Sequence, residues 1–184
     1  YDFTEDEEND AYRSFIRYMN EYGITSICDL SMMAIPGADY VRDDIYGRLL
    51  DQGELNVRVH MYPTMLAGLK RPLAMRETCT DPMLTCSGVK HFFDGVSSCH
   101  TAYLKEPYAD AYYEGDCGKL SVDPDLMHRL VLEAAQNDFC MRVHTIGDQA
   151  IHLMLDYFED ARQQFGDKPY VQHTLEHLEN LQYE

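Results

Sequence analysis

The period of the apolar positions changes several times along the chain, and each change marks an element. Phe139, Cys140, Met141 and Val143 form a short strand-like run. After Gly147, the residues Ile151, Met154, Leu155, Phe158 and Ala161 recur at helical spacing, with Asp148 placed to cap the helix start and Gly166 to stop it. His144 therefore sits at the carboxyl end of a strand, just before the chain turns over. Tyr170 to His177 reads as the next strand, and it also ends in a histidine.

The same reading covers the rest of the chain. Thr4 with Glu7 three residues later is a capping-box signature, followed by Tyr12, Phe15, Ile16, Met19 and Tyr22 at helical spacing and a stop at Gly23. Ile24 to Leu30 is a strand candidate, about 39 to 52 a helix, and Leu55 to Tyr62 an alternating strand closed by Pro63. Residues 64 to 87 hold no period and are broken by Gly68, Pro72 and Pro82, with part of the stretch expected to be helical. Val89 to Phe93 is the third strand, and a long loop from Val96 to Val122 follows. Asp123-Pro124 then opens a helix with Met127, Leu130, Val131 and Ala134 as its buried stripe. Five strands alternating with helices predict an α/β fold with a parallel sheet and right-handed crossovers. No repeat, low-complexity tract or linker divides the chain, so residues 1–184 read as one catalytic-domain segment.

A formal net charge of −17 works against binding to nucleic acid or to an anionic membrane surface. No apolar run approaches the length needed to cross a bilayer. The six cysteines show no short metal-binding spacing and read as reduced thiols of a cytoplasmic protein. Cys28 and Cys140, within or beside strands, are expected to be small buried hydrophobes.

Chemistry gathers on three residues. Loops after the strands of parallel α/β proteins build active sites, so His144 and His177 are well placed as metal ligands. His173-Thr174-Leu175-Glu176-His177 also matches the H-x-x-E-H signature of zinc peptidases, a motif that needs a helix to bring its histidines together. The strand character of Tyr170-Val171-Gln172 argues against it. If His177 points inward by strict alternation, Thr174 and Glu176 face the helices, which is too polar a face. A bulge or an early strand end is therefore expected. Lys90 lies inside an apolar strand and must find compensation for its charge or act as a functional amine.

Gly88-Val89-Lys90-His91-Phe92-Phe93-Asp94-Gly95, with Thr101-Ala102 and Glu106-Pro107-Tyr108, resembles the fourth-strand region of the amidohydrolase superfamily. Within it, these residues resemble the branch of N-substituted formamide deformylase-like proteins. Val143 to Ile151 resembles the fifth strand of that branch, and Leu175-Glu176-His177 its sixth. The resemblance implies a (β/α)8 TIM-like barrel, of which this chain supplies about strands two to six. It implies one or two divalent metal ions, usually zinc. Lys90 as a carbamate, His144 and His177 would be metal ligands, with Asp94 near the site as a catalytic candidate of unassigned role. The reaction would be hydrolysis of a carbon–nitrogen bond in a small-molecule amide-type substrate through a metal-activated water. No H-x-H or H-x-D motif precedes residue 60, and no late strand ending in aspartate follows His177. The chain is therefore expected to be an internal segment, inactive alone and prone to self-association. The competing readings are a zinc peptidase using His173, Glu176 and His177, and a non-catalytic α/β binding module.

Overall fold

Residues 3–31 and 40–181 are described by a computed structural model, in which the chain forms two compact units, residues 1–88 and 89–184. In the first unit, helix α1 (Glu5–Glu21) starts at the capping box that the sequence predicts. Thr4 Oγ1 accepts from the Glu7 N–H at 3.3 Å, and the Glu7 carboxylate accepts from the Thr4 N–H at 2.8 Å. The buried stripe of α1 is narrower than its spacing suggests. Ile16 is buried, but Phe15 and Tyr22 are exposed, and buried Asn9 accepts from Arg48 Nε at 3.1 Å.

Strand β1 (Ser26–Leu30), helix α2 (Asp43–Asp51) and strand β2 (Arg58–Tyr62) follow in the expected order, each starting two to four residues later than predicted. The predicted helix start at Asp39 lies outside the described residues. Leu55, Val57, Val59 and Met61 are all buried, as period-two alternation requires. The stretch without a period holds helix α3 (Lys70–Thr78), then strands β3 (Thr80–Asp81) and β4 (Leu84–Cys86). The sheet order is β1-β2-β4-β3, with β1, β2 and β4 parallel and β3 antiparallel to β4. Strand β4 corrects the expectation of five strands. With three residues, Leu84 and Cys86 inward and Thr85 between, it is too short for alternation to show in the sequence.

Cys28 is also a correction. It pairs in register with His60, and His60 with Thr85, on the side of the sheet opposite buried Val59, Met61 and Leu84, and it is exposed. Cys140 is only partly buried. All six cysteines are free thiols.

In the second unit, β5 (Val89–Phe92) leads through the long connection, which carries one 3-10 turn at Ser97–Cys99, to helix α4 (Pro124–Gln136). Asp123 caps α4 by accepting from the Leu126 N–H at 3.1 Å, and Met127, Leu130, Val131 and Ala134 are buried. Strand β6 (Met141–Thr145), helix α5 (Asp148–Phe165) and strand β7 (Thr174–His177) complete a fully parallel sheet, ordered β5-β6-β7. Gly166, at φ 80°, ends α5 as predicted. The start of α5 differs from expectation. Its N-cap is Gly147, and Asp148 is already helical, with Oδ1 accepting from the Lys105 N–H at 2.9 Å. Leu155 points out of the core, 54% exposed. Among the described residues, no helix is long and apolar enough to cross a membrane.

Candidate functional site

In a parallel sheet, residues paired in register share a face. Lys90 pairs with Arg142 and Arg142 with Thr174, while Phe92 pairs with His144 and His144 with Glu176. Lys90, Phe92, Arg142, His144, Thr174 and Glu176 therefore line one face of the β5-β6-β7 sheet. The other face is apolar in its packing. Val89, His91, Met141, Val143 and Thr145 are fully buried there, the Phe93 ring meets Tyr157 of α5 at 6.0 Å, and His173 stacks on Phe158 at 4.6 Å.

By strict alternation His177 belongs to that apolar face, yet it reaches the polar one. Its φ is 78°, and Leu178 follows at 54°, so the strand ends there and the backbone turns the imidazole over. Its ring lies 4.5 Å from that of His144, centroid to centroid. The expected early strand end is not found: β7 starts at Thr174, later than the predicted Tyr170, runs to His177, and places Thr174 and Glu176 on the face away from the helices. Because residues 174–177 are strand, the H-x-x-E-H reading fails. His173 accepts the Met141 N–H on Nδ1 at 3.2 Å and packs on α5, away from His177.

Lys90 is 2% exposed and contacts Glu176, whose other oxygen takes Arg142 Nε at 2.8 Å. Burial pushes the Lys90 ammonium below its ordinary pKa, with Glu176 opposing the shift. Burial alone would raise the Glu176 carboxyl, but Lys90 and Arg142 outweigh it and hold the group lowered. The Lys90 ammonium also sits 4.6 Å from the Phe92 ring centroid, and that ring lies 5.0 Å from His144.

His144 Nε2 is 2.8 Å from the Gly95 carbonyl, which can only accept, so Nε2 carries the proton and Nδ1 the lone pair. Burial lowers the His144 pKa, with the Gly95 bond opposing, and this favours a neutral ring that can act as a metal ligand. Asp94 Oδ1 is 4.0 Å from the same nitrogen. The Asp94 carboxylate, 1% exposed, accepts from three backbone N–H groups: Tyr103 at 3.0 Å, Ile146 at 3.0 Å and Gly147 at 2.7 Å. It pins the end of β5, the long connection and the β6–α5 turn together. Gly147 is required there, since a Cβ would lie 2.1 Å from the Tyr103 carbonyl oxygen. Beside this end of the sheet a cavity of about 410 Å³ is lined by Leu104, Glu106, Asp148, Glu179 and Asn180.

The structure thus brings His144 and His177 together and puts Lys90 on the same face, locked to Glu176. Asp94 lies beside His144 as a tie between backbone segments. Glu176 and Arg142 were not singled out in the sequence as partners of Lys90. The parity of Glu176 relative to Lys90 was the available signal, and it needed the strand register to be read. A divalent cation suits two adjacent imidazoles. Lys90 as an ammonium has no lone pair to give, and among the described residues no three His, Cys, Asp or Glu side chains are grouped to hold a metal. The residues present fit a metal as two donors of a larger set.

Parallel α/β proteins build their sites at the carboxyl ends of their strands, and the paired histidines lie at such strand ends. Residues 2–184 match the sequence profile of the Amidohydrolase family, and the chain belongs to that family. It is similar to Protein LONG AFTER FAR-RED 3 of Arabidopsis thaliana, 23% identical over 182 residues, covering 96% of this chain and 31% of that protein. It is 28% identical over 121 residues to the putative amidohydrolase YtcJ of Bacillus subtilis strain 168, covering 58% of this chain and 22% of that one. Crystal structures of uncharacterized metal-dependent hydrolases from Pyrococcus horikoshii OT3 and Pyrococcus furiosus share the fold. Their TM-scores are 0.65 and 0.66 and their identities 22% and 23%, over 86% and 87% of this chain and 31% and 32% of theirs. The chain spans about a third of the length of these relatives or less.

Proposed function

We propose that this chain forms part of a metal-dependent amidohydrolase that cleaves a carbon–nitrogen bond of a small-molecule amide, as in the N-substituted formamide deformylase-like branch. The observation that carries the reading is the convergence of His144 and His177, 4.5 Å apart, from the ends of two adjacent parallel strands. The parallel pairings β1-β2-β4 and β5-β6-β7, each with its helices, support a (β/α)8 barrel of which these residues supply part.

His144, His177 and Lys90 would hold one or two divalent ions, zinc by donor type. Lys90 takes part as a carbamate, which requires it to leave Glu176 and react as a free amine with carbon dioxide. The burial that lowers its pKa favours that free amine. The chemistry such an ion supplies when bound is Lewis-acid polarisation of the scissile carbonyl and acidification of water. The chain's own residues do the rest. Gly95 fixes the His144 tautomer through Nε2, and the Asp94 carboxylate holds the strand-end turn on which His144 depends.

The test is metal content by mass spectrometry, in a protein that carries this sequence at the relatives' full length. His144→Ala and His177→Ala should each lose bound metal, and the intact protein should hydrolyse N-acyl or N-formyl amides. Unchanged stoichiometry in both variants sinks the ligand assignment, and metal binding without amide hydrolysis sinks the reaction. The 184 residues alone, with two imidazoles converging, are expected to bind zinc weakly and to be silent towards amides.

A further inference from the structure

The long connection carries a side-chain cluster that the proposed reaction does not use. His100 is 8% exposed and has a left-handed backbone, φ 50°. Its ring is sandwiched between Tyr108, at 4.1 Å and 1° from parallel, and Tyr112, at 3.9 Å and 15°. Nδ1 is 2.9 Å from an oxygen of Asp116, itself 1% exposed, and Nε2 is 3.2 Å from Asp110. Both nitrogens thus face carboxylates, which only a doubly protonated ring can satisfy. The same Asp116 carboxylate accepts the N–H groups of Tyr112 at 3.2 Å and Gly118 at 3.3 Å.

This cluster stitches two arms of the connection. Tyr108 Oη donates to the Ala102 carbonyl at 2.9 Å, and the Leu104 N–H to the Cys117 carbonyl at 2.8 Å. The inner arm, 101–105, is bonded in turn to the end of β5 and the start of α5. The Gly95 N–H donates to the Thr101 carbonyl at 2.9 Å, the Ala150 N–H to the Tyr103 carbonyl at 3.3 Å, and the Tyr103 N–H to Asp94 at 3.0 Å. The approach is close: a Cβ on Gly95 would lie 2.2 Å from Thr101 Oγ1.

We propose that His100 is a positioning residue for the site: gripped by Tyr108, Tyr112, Asp110 and Asp116, it clamps residues 101–105 onto Asp94 and the β6–α5 turn. It touches neither His144 nor His177 and acts through Asp94. The inference does not depend on the metal or on the reaction.

The clamp is charge-dependent. The groups facing the ring are Asp110, Asp116, Tyr108 and Tyr112, and Tyr113 is bonded to Asp116. The Asp116 bond raises the His100 pKa, with burial opposing, and the His100 bond holds the Asp116 carboxyl below its ordinary range, again with burial opposing. A raised histidine pKa gives a contribution that is whole below the unfolded value and is lost as pH rises through the folded one. The clamp should therefore loosen on the alkaline side of the His100 titration.

Amide hydrogen exchange on the 184-residue chain, corrected for intrinsic rates between pH 6 and pH 9.5, tests this. In the wild type, protection of the Tyr103, Ile146 and Gly147 amides should fall about tenfold in step with the His100 ring titration followed by NMR. His100→Arg keeps a planar cation that stacks on tyrosine and stays charged at every pH used. It should keep the protection and abolish the step. Asp116→Asn should lower protection at all pH values and shrink the step, without unfolding β6. Protection that ignores the His100 titration, or the same step in His100→Arg, overturns the proposal.

Discussion

The two units of this chain handle charge in opposite ways. In residues 1–88 the ionic groups brace the surface: Arg42 joins Glu8 and Asp44, Arg48 reaches Asp44, and Arg13 joins Asp10 and Glu54. The buried polar residues described there are the neutral Asn9, Ser31 and Thr64. In residues 89–184, Lys90, His91, Asp94, His100, Asp116, His144 and Thr145 are all buried. A buried ionisable group costs several kcal/mol unless it is paired. The second unit is built around buried acidic and basic groups, while the first has none among its described buried residues.

If that contrast is right, the largest single loss belongs to Glu176. It is the shared counter-ion of Lys90 and Arg142, and truncating it leaves a buried ammonium without its partner. Glu176→Ala should destabilise the second unit by about 4 kcal/mol, part of it relieved as Lys90 gives up its proton. The double variant Lys90→Met/Glu176→Leu should recover most of that loss, since a packed apolar pair needs no counter-charge. Urea unfolding read through β6 amide protection checks both. A loss below about 1 kcal/mol in the single variant would mean that the pair is solvated and the contrast false.

The next effect is a pH effect. His91 is fully buried on the helix-facing side of β5. Burial pushes its pKa down to about 4, Lys90 adds to the shift, and its bond with the Phe92 backbone opposes it. The unfolded chain takes up a proton below about 6.5, which the folded unit refuses until about 4. The second unit should therefore lose stability as pH falls through that window, by about 3 kcal/mol. His91→Leu should flatten that part of the pH profile while the carboxylate-driven loss at lower pH persists. A variant with an unchanged slope between pH 6.5 and pH 4 would show that the ring is protonated or solvated in the folded state.

These two residues also mark where sequence reading stops. Alternation over Leu55 to Met61 and helical spacing over Met127 to Ala134 identify their elements, because each rests on local period. His144 and His177 were legible for a related reason, being punctuation at strand ends. Strand β4 was not, because three residues carry no period. Nor was the work of Asp94, whose three bonds go to backbone groups as much as 53 residues away. The fate of Lys90 turned on strand register, and the turn of His177 on the positive φ of His177 itself and of Leu178. Neither leaves a mark in residue type. Hydrophobic pattern specifies elements, whereas polar satisfaction is settled only once the sheet has set its register.

The smallest effect belongs to the surface of the first unit, and its response to salt sharpens the comparison. Arg42 grips Glu8 of α1 at 2.7 and 2.8 Å and Asp44 of α2 at 2.8 Å through two nitrogens. The geometry is bidentate on both sides, better than most surface pairs. The Arg42 bond holds the Asp44 carboxyl down to about 2, against the pull of burial. A depressed carboxyl gives a contribution that is present above about 3.8 and lost as pH falls towards 2. Yet the three side chains are 36%, 27% and 47% exposed, so water and salt screen the attraction. Arg42→Ala should cost the first unit about 1 kcal/mol in dilute buffer. In about 1 M sodium chloride, where the screening length shrinks to roughly 3 Å, at least half of that should vanish. The Glu176→Ala loss should stay nearly constant over the same salt range, because its partners are shielded from the ions. Equal salt sensitivity in the two variants would erase the distinction between a unit braced at its surface and one built around buried charge.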